Sequence, residues 1–224
     1  MEDCSRAQET GSSMKRLILG AVVSGLLAPA AAHAALITAP PLGTTTVLTT
    51  ITGGWTSSPS VIAGGFTVFA PPGAEVWYGD TSYSLASNGD WSDFAWVGGY
   101  CYSGPCTATI DLGGLFGAAG GFMNYAPGTG DPVIEAIAAD GVTVLESYDL
   151  AIAAPISTPG GFNDGAFRGI ARGTADIAYF RVSGAYLIMH DLTVGEQAIP
   201  EPASLALLGL GLAGLGLSRR RKAA

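Results

Sequence analysis

The sequence predicts an all-β fold, a jelly-roll-like β-sandwich, for the body of the chain at residues 35–198. Short apolar runs alternate with turn residues, no clear amphipathic helix interrupts them, and the chain holds 33 glycines and 13 prolines. Strands at such close spacing are typical of sandwiches and barrels. Because 48% of the residues are apolar and only 12% are charged, the chain has ample material for a packed core.

Ten runs are predicted as strands: Thr45–Thr52, Val61–Ala70, Glu75–Tyr78, Phe94–Tyr100, Thr107–Leu112, Val133–Ala138, Val142–Leu150, Ala166–Arg172, Asp176–Ser183 and Tyr186–Val194. Glycine, proline and asparagine pairs separate them, among them Gly113-Gly114 and Asp140-Gly141. Asp140-Gly141 predicts a two-residue hairpin. In the last run two alternating sets are both largely apolar, which predicts a central strand. These sets are Tyr186, Ile188, His190, Leu192 and Val194, and Leu187, Met189, Asp191 and Thr193.

The start of the chain predicts export. Lys15 and Arg16 precede the apolar stretch Leu17–Leu27, and an Ala-x-Ala site ends at Ala34. A basic start, a short apolar core and a small-residue cleavage site define a signal peptide, here residues 14–34. We expect signal peptidase to cut between Ala34 and Ala35. Residues 1–13 are polar and are interpreted as an upstream extension, so the true start is either Met1 or Met14.

The end of the chain, residues 199–224, is a second specialised segment. Pro200, Glu201 and Pro202 lead into a glycine- and leucine-rich apolar run, and Arg219, Arg220, Arg221 and Lys222 follow. The run predicts a single hydrophobic helix near the short limit for spanning a bilayer. The cations would hold the end of that helix on the cytoplasmic side.

These three parts, in this order, resemble the PEP-CTERM sorting signal. The resemblance implies recognition by exosortase, a membrane cysteine protease that cuts near Pro200-Glu201-Pro202. It also implies a transient precursor anchored in the inner membrane and delivery to the cell envelope, the outer surface or an extracellular matrix. Some tails of this kind are classed as the C-terminal domain of ice-binding proteins. Segments around Asp140-Gly141, Gly165–Ile170 and Met189–Val194 are similar to the β-sandwich of other secreted PEP-CTERM proteins.

Charge limits the partners of the body. Between residues 35 and 202 three arginines stand against fifteen acidic residues, a formal charge of −12, and no lysine is present. Such a surface repels phosphate backbones, so nucleic acid is excluded as a partner.

Two cysteines of the body lie close together in the sequence. Cys101 and Cys106 flank Tyr-Ser-Gly-Pro, which contains turn residues, so we expect them to form a disulfide in an exported protein. A metal site is disfavoured because the body has no second pair of soft ligands. A redox-active pair would favour Cys-x-x-Cys, which this spacing is not.

Catalytic signals are weak, so no enzyme and no cofactor are predicted. His190, the one histidine of the body, is expected to be a packed core residue. Asp80, Asp90 and Asp93 form a candidate calcium site, although a solvated turn explains them as well. Trp77, Trp91 and Trp96 are candidate glycan-stacking residues, although such rings also fill sandwich cores.

Three functions remain open at this point. The first is a structural or adhesive protein of an exopolysaccharide or biofilm layer. The second is a carbohydrate-binding module with a calcium site, and the third is a glycoside-active enzyme, for which no feature selects a pair of carboxylates.

Overall fold

A computed structural model describes residues 34–48, 54–81, 84, 89–91, 95–100, 106–125, 132–157, 162–163 and 165–196. All of them belong to one compact unit, Ala32–Pro202. The predicted signal peptide before residue 34 and the predicted tail helix lie outside the described residues. Within the described part, no helix has the length and apolar character needed to cross a membrane.

Strands make up nearly all of the regular structure in these ranges. In chain order the elements are β1 (Ala35–Ile37), β2 (Gly43–Thr46), β3 (Trp55–Ser58), β4 (Ser60–Ala63), β5 (Phe66–Phe69), β6 (Glu75–Gly79), β7 (Asp90–Trp91), β8 (Trp96–Tyr100), β9 (Thr107–Phe116), β10 (Ala118–Tyr125), β11 (Val133–Ile137), β12 (Val144–Asp149), α1 (Leu150–Ala153), β13 (Phe162–Asn163), β14 (Ala166–Ala171), β15 (Ile177–Ser183) and β16 (Leu187–Gly195).

Two antiparallel sheets form the sandwich, which confirms the predicted fold class. Sheet I has the strand order β1-β14-β10-β16-β8-β6-β3, and β2 pairs with β16 as well. Sheet II has the order β12-β11-β15-β9-β5-β4. A separate parallel pair, β7 with β13, brings residues 90–91 beside residues 162–163. Because β16 pairs with β10, β8 and β2, the prediction that the last strand is central is confirmed.

The core lies between the inner faces of the two sheets. Alternate residues of each strand point inward, which is the period-two pattern that a half-buried strand requires. Fully buried members from sheet I include Val76, Val97, Met123, Tyr125, Ile170, Met189 and Leu192, and those from sheet II include Val68, Ala108, Ile110, Ile134, Phe180 and Val182. Each large aliphatic side chain buried in this way stabilises the fold by roughly 1.5–3 kcal/mol.

A β-bulge in β16 changes which residues face the core. The register with β10 shifts at this point, and Asp191 adopts a left-handed backbone with φ of 50°. Residues before and after the bulge therefore differ in phase, so Leu187 and Met189 share the core with Leu192 and Val194. The prediction of one face running from Tyr186 through Val194 was wrong, because strict alternation takes no account of the extra residue.

The predicted strand Val61–Ala70 is in fact a tight hairpin. Gly64 and Gly65 both have positive φ, 58° and 89°, and turn the chain between β4 and β5. A Cβ at position 64 would lie 2.5 Å from the carbonyl oxygen of Val47, so glycine is required there for space as well as for conformation.

The region after Thr107 was predicted least well. The predicted break at Gly113-Gly114 is wrong, because β9 continues to Phe116 and bulges against β15. The next strand, β10, was missed because its sequence, Ala-Ala-Gly-Gly-Phe-Met-Asn-Tyr, begins like a loop. Its glycines serve close packing, since a Cβ at Gly120 would lie 2.5 Å from the carbonyl oxygen of Arg168.

The hairpin at Asp140-Gly141 exists but is longer than predicted. Strand β11 ends at Ile137 and β12 begins at Val144. Between them, the Ala138 amide donates a hydrogen bond to the Thr143 carbonyl at 2.9 Å. Asp140 accepts hydrogen bonds from the Thr143 hydroxyl at 2.5 Å and from its amide at 2.8 Å. These bonds to the ionised carboxylate hold the pKa of Asp140 at about 2.

The start of β1 and the end of β16 lie at the same end of sheet I. Ala35 pairs with Ala171, which pairs with Ala118, which in turn pairs with Gly195. Because β1 begins and β16 ends in this row, the chain enters and leaves the body at the same end. Three strand spacings separate the two points, about 14 Å.

Candidate functional site

The outer face of sheet I carries a layer of aromatic side chains. Val76 and Val97 point into the core, so Trp77 on β6 and Trp96 on β8 point outward. Phe122 on β10 and His190 on β16 are direct cross-strand neighbours on the same outer face. Trp91, on β7, packs with Trp96 and Ile188 and covers part of this face. The pair β7–β13 therefore acts as a partial third layer over the sandwich.

Two of the three predicted glycan-stacking residues are inside this layer. Trp91 and Trp96 both have 0% exposure, and the Trp96 indole donates to the Thr81 carbonyl at 2.9 Å. A sugar stacks only on a ring face that is open to solvent, so these two rings have a packing role. Trp77 is partly buried and packs against the same cluster.

His190 is packed within the same layer, as predicted. Its ring stacks on Phe122 with centroids 5.3 Å apart and meets the edge of Trp91 at 5.2 Å. Its Nδ1 lies 3.2 Å from a carboxylate oxygen of Asp191, the bulge residue. The bulge thus places a carboxylate beside an imidazole that two aromatic rings hold in position. This arrangement orients the histidine and satisfies one of its nitrogens.

The exposed tryptophan is Trp55, which was not among the predicted site residues. It lies on β3, an edge strand of sheet I, and 58% of its surface is exposed. Its ring stacks on Trp77 with centroids 4.9 Å apart and an interplanar angle of 30°. The sequence signal that could have identified it is its position on a short strand next to Gly53-Gly54, where an edge is expected.

Two of the three predicted calcium ligands, Asp80 and Asp90, lie within the described residues. Asp80 follows β6 and accepts a hydrogen bond from the Gly54 amide at 3.1 Å, which ties the start of β3 to the end of β6. Asp90 belongs to β7 and bridges to Ser84. Asp93 lies outside the described residues. In the described part of the chain, no group of three or more acidic, histidine or cysteine side chains is arranged to hold a metal ion.

Of the two predicted disulfide cysteines, only Cys106 lies within the described residues. Cys106 is buried, with 8% exposure, immediately before β9. Cys101 lies outside the described residues, so the disulfide stays a prediction.

A buried arginine fixes the far end of β10. Arg168, 8% exposed, donates to the Tyr125 hydroxyl at 3.2 Å and to the carbonyls of Phe167 and Ala154 at 2.8 and 3.2 Å. The Tyr125 hydroxyl donates to the Ala154 carbonyl as well. Burial raises the pKa of Tyr125, so the phenol stays protonated and keeps donating. This network joins the segment after α1 to sheet I.

The other two arginines of the body are ion-paired. Arg172 lies 2.6 Å from Asp176 and 3.7 Å from Glu146, and Arg181 lies 2.6 Å from Glu135. The hydrogen bond from Arg172 holds the pKa of Asp176 below its usual value. All three cations between residues 35 and 202 thus have structural partners.

The predicted processing points flank this body. Ala35 is the first residue of β1, and Ala34 immediately precedes that strand. At the other end β16 finishes at Gly195, five positions before Pro200. Pro200, Glu201, Pro202 and the arginines 219–221 lie outside the described residues.

Comparison with known proteins identifies the tail alone. Residues 198–222 match the PEP-CTERM protein-sorting motif. No curated protein and no solved structure matches the chain. The motif implies recognition by exosortase during export and delivery to the cell envelope or surface. The chain is therefore a PEP-CTERM sorting domain-containing protein, an exported substrate of exosortase.

Proposed function

We propose that the protein is a non-enzymatic structural or adhesive component of an extracellular polysaccharide layer. The observation that carries the proposal is the sorting motif at residues 198–222, which directly follows the central strand β16. Removal of the tail at this motif leaves every described strand intact. The released product is then a complete sandwich.

The side chains of the body support a non-catalytic role. The one histidine of the body, His190, packs against two aromatic rings, and its Nδ1 lies 3.2 Å from the Asp191 carboxylate. The arginines serve packing and ion pairs, as described above. An acidic surface without lysine suits a hydrated matrix, because like-charged copies repel each other and stay dispersed.

The processing step is tested by mass spectrometry of the protein from the producing bacterium. We expect a mature species that begins at Ala35 and lacks Arg219–Lys222. A variant with Pro200, Glu201 and Pro202 replaced by alanine should keep its tail and stay in the membrane fraction. The matched control replaces the exposed prolines Pro71 and Pro72 by alanine and should be processed normally.

The matrix role is tested by fractionation and by deletion of the gene. We expect the mature protein to sediment with washed extracellular polysaccharide, and we expect the deletion strain to form a less cohesive layer. A major species that retains its basic tail would contradict the sorting step. A mature protein found only free in the medium, with no change in the layer on deletion, would contradict the matrix role.

A further inference from the structure

The edge of sheet I displays an aromatic surface that the fold does not use. Trp55 is the most exposed of the four tryptophans of the chain. An indole that remains in solvent forgoes the burial that favours folding, so a fixed and exposed tryptophan is typical of a binding surface.

The Trp55 ring is held in place by its contact with Trp77. Trp77 supports it through the stacked contact at 4.9 Å, and Trp77 itself packs into the buried cluster of Trp91, Trp96 and Ile188. Gly79 lies directly opposite Trp55, where a Cβ would come within 2.9 Å of the Trp55 Cβ. The missing side chain leaves room for the indole beside β6. One side of the ring is therefore supported, and over half of the residue's surface stays open.

Polar groups lie beside the open ring on the same face. Ser57 follows Trp55 by two residues on β3, a separation of about 6.6 Å. Its hydroxyl donates to a carboxylate oxygen of Glu75 at 2.7 Å, and Glu75 lies on the outer face of β6. Both side chains are partly exposed. The flat, apolar face of an indole, with a hydroxyl and a carboxylate about 6.6 Å away, matches a pyranose. A pyranose has an apolar C–H face and hydroxyl donors around its edge.

Charge selects the class of sugar. Glu75 and Asp80 are the charged residues of this edge, and the arginines of the body already have structural partners. A uronate or sulfated glycan would meet like charge here with no cation to compensate. A neutral pyranoside has no such penalty.

We propose that Trp55, Ser57 and Glu75 form a binding site for a neutral pyranoside chain, with the sugar ring stacked on the Trp55 indole. The site deepens the proposed function, because it supplies the contact through which the exported body adheres to polysaccharide.

Calorimetric titration of the purified full chain tests the site. The chain is kept in a zwitterionic detergent without a sugar headgroup, because a glycoside detergent would compete. The probes are cellohexaose and chitotetraose, both neutral, and trigalacturonate, which is anionic. We expect at least one neutral probe to bind with a dissociation constant of about 1 mM or tighter and trigalacturonate to bind at least about tenfold more weakly.

Matched variants assign the binding to the indole. Trp55→Ala should weaken the binding of the neutral probe by about tenfold or more, whereas Trp55→Tyr should stay within about threefold. Ile62→Ala is the control, since Ile62 is equally exposed, at 62%, on the edge strand β4 of the other sheet. It should bind like the unmodified chain. Circular dichroism of each variant checks that the fold is retained.

Three results would overturn the proposal. They are no binding of either neutral probe at about 10 mM, unchanged binding by Trp55→Ala, and equal or tighter binding of trigalacturonate. The sorting experiment reads out tail removal independently, so this site can fail while the proposed export and processing stand.

Discussion

The β-bulge at Asp191 sets which side of β16 faces the core beyond it, so inserting an alanine between Asp191 and Leu192 should be severely destabilising. Adding one residue to a strand moves every later side chain to the opposite face. Leu192 and Val194, 0% and 6% exposed, would leave the core, and Thr193 would enter it. Losing the burial of two such aliphatic side chains costs about 3–6 kcal/mol, at roughly 1.5–3 kcal/mol each. That is a large share of the 5–15 kcal/mol of stability typical of a domain.

Thermal unfolding followed by tryptophan fluorescence measures this effect. The buried Trp91 and Trp96 report loss of the packed aromatic layer. We expect the insertion to lower the melting temperature by about 10 °C or more, since 1 kcal/mol corresponds to about 2–4 °C in a protein of this size. Asp191→Gly is the matched control, because it keeps the residue count and tolerates φ of 50°. It should change stability by about 1 kcal/mol or less. An insertion variant that melts within about 2 °C of the unmodified chain would refute the reasoning.

Three further outcomes are expected. Trp91→Ala should destabilise the protein by about 3–5 kcal/mol in urea denaturation, because it empties a fully buried indole site, and a loss below about 1 kcal/mol would contradict the packing role. Asp176, whose pKa is lowered by Arg172, stabilises the fold above its ordinary value of 3.8 and loses this contribution as pH falls through the lower folded value. The melting temperature of Asp176→Asn should therefore fall less than that of the unmodified chain on acidification through this range, and parallel curves would contradict the linkage. Thiol titration of the unreduced, unfolded body should find neither Cys101 nor Cys106 reactive, and reduction should cost about 2 kcal/mol of stability.

The fold class was predictable because it rests on spacing. Turn residues recur at short intervals, and no stretch has the period of a helix, so the sandwich follows from local chemistry alone. Strand β10 was not predictable in this way. Its first four residues have little side chain to bury, and they form a strand because β14 and β16 pair with them on both sides. Tertiary pairing overrides local preference at such positions.

The site was predicted only in part. The sorting motif at residues 198–222 is linear, so it could be recognised from the sequence without the fold. The tryptophans carry identical chemistry in the sequence, so burial of Trp91 and exposure of Trp55 depend on where β7 and β3 lie in the assembled sheets. The phase change at Asp191 was hidden for another reason, because β16 is apolar on both faces and alternation carries no signal there.

The start of β1 and the end of β16 lie at the same end of sheet I, so the two ends of the body are close in space. A linker of about five residues could bridge the roughly 14 Å between Ala35 and Gly195. The chain could then be opened at the exposed turn around Gly141 without cutting a strand. Such a circular permutant would carry both new termini between β11 and β12. The natural order instead places the sorting motif, residues 198–222, after the last strand in the sequence, so exosortase acts beyond every described strand.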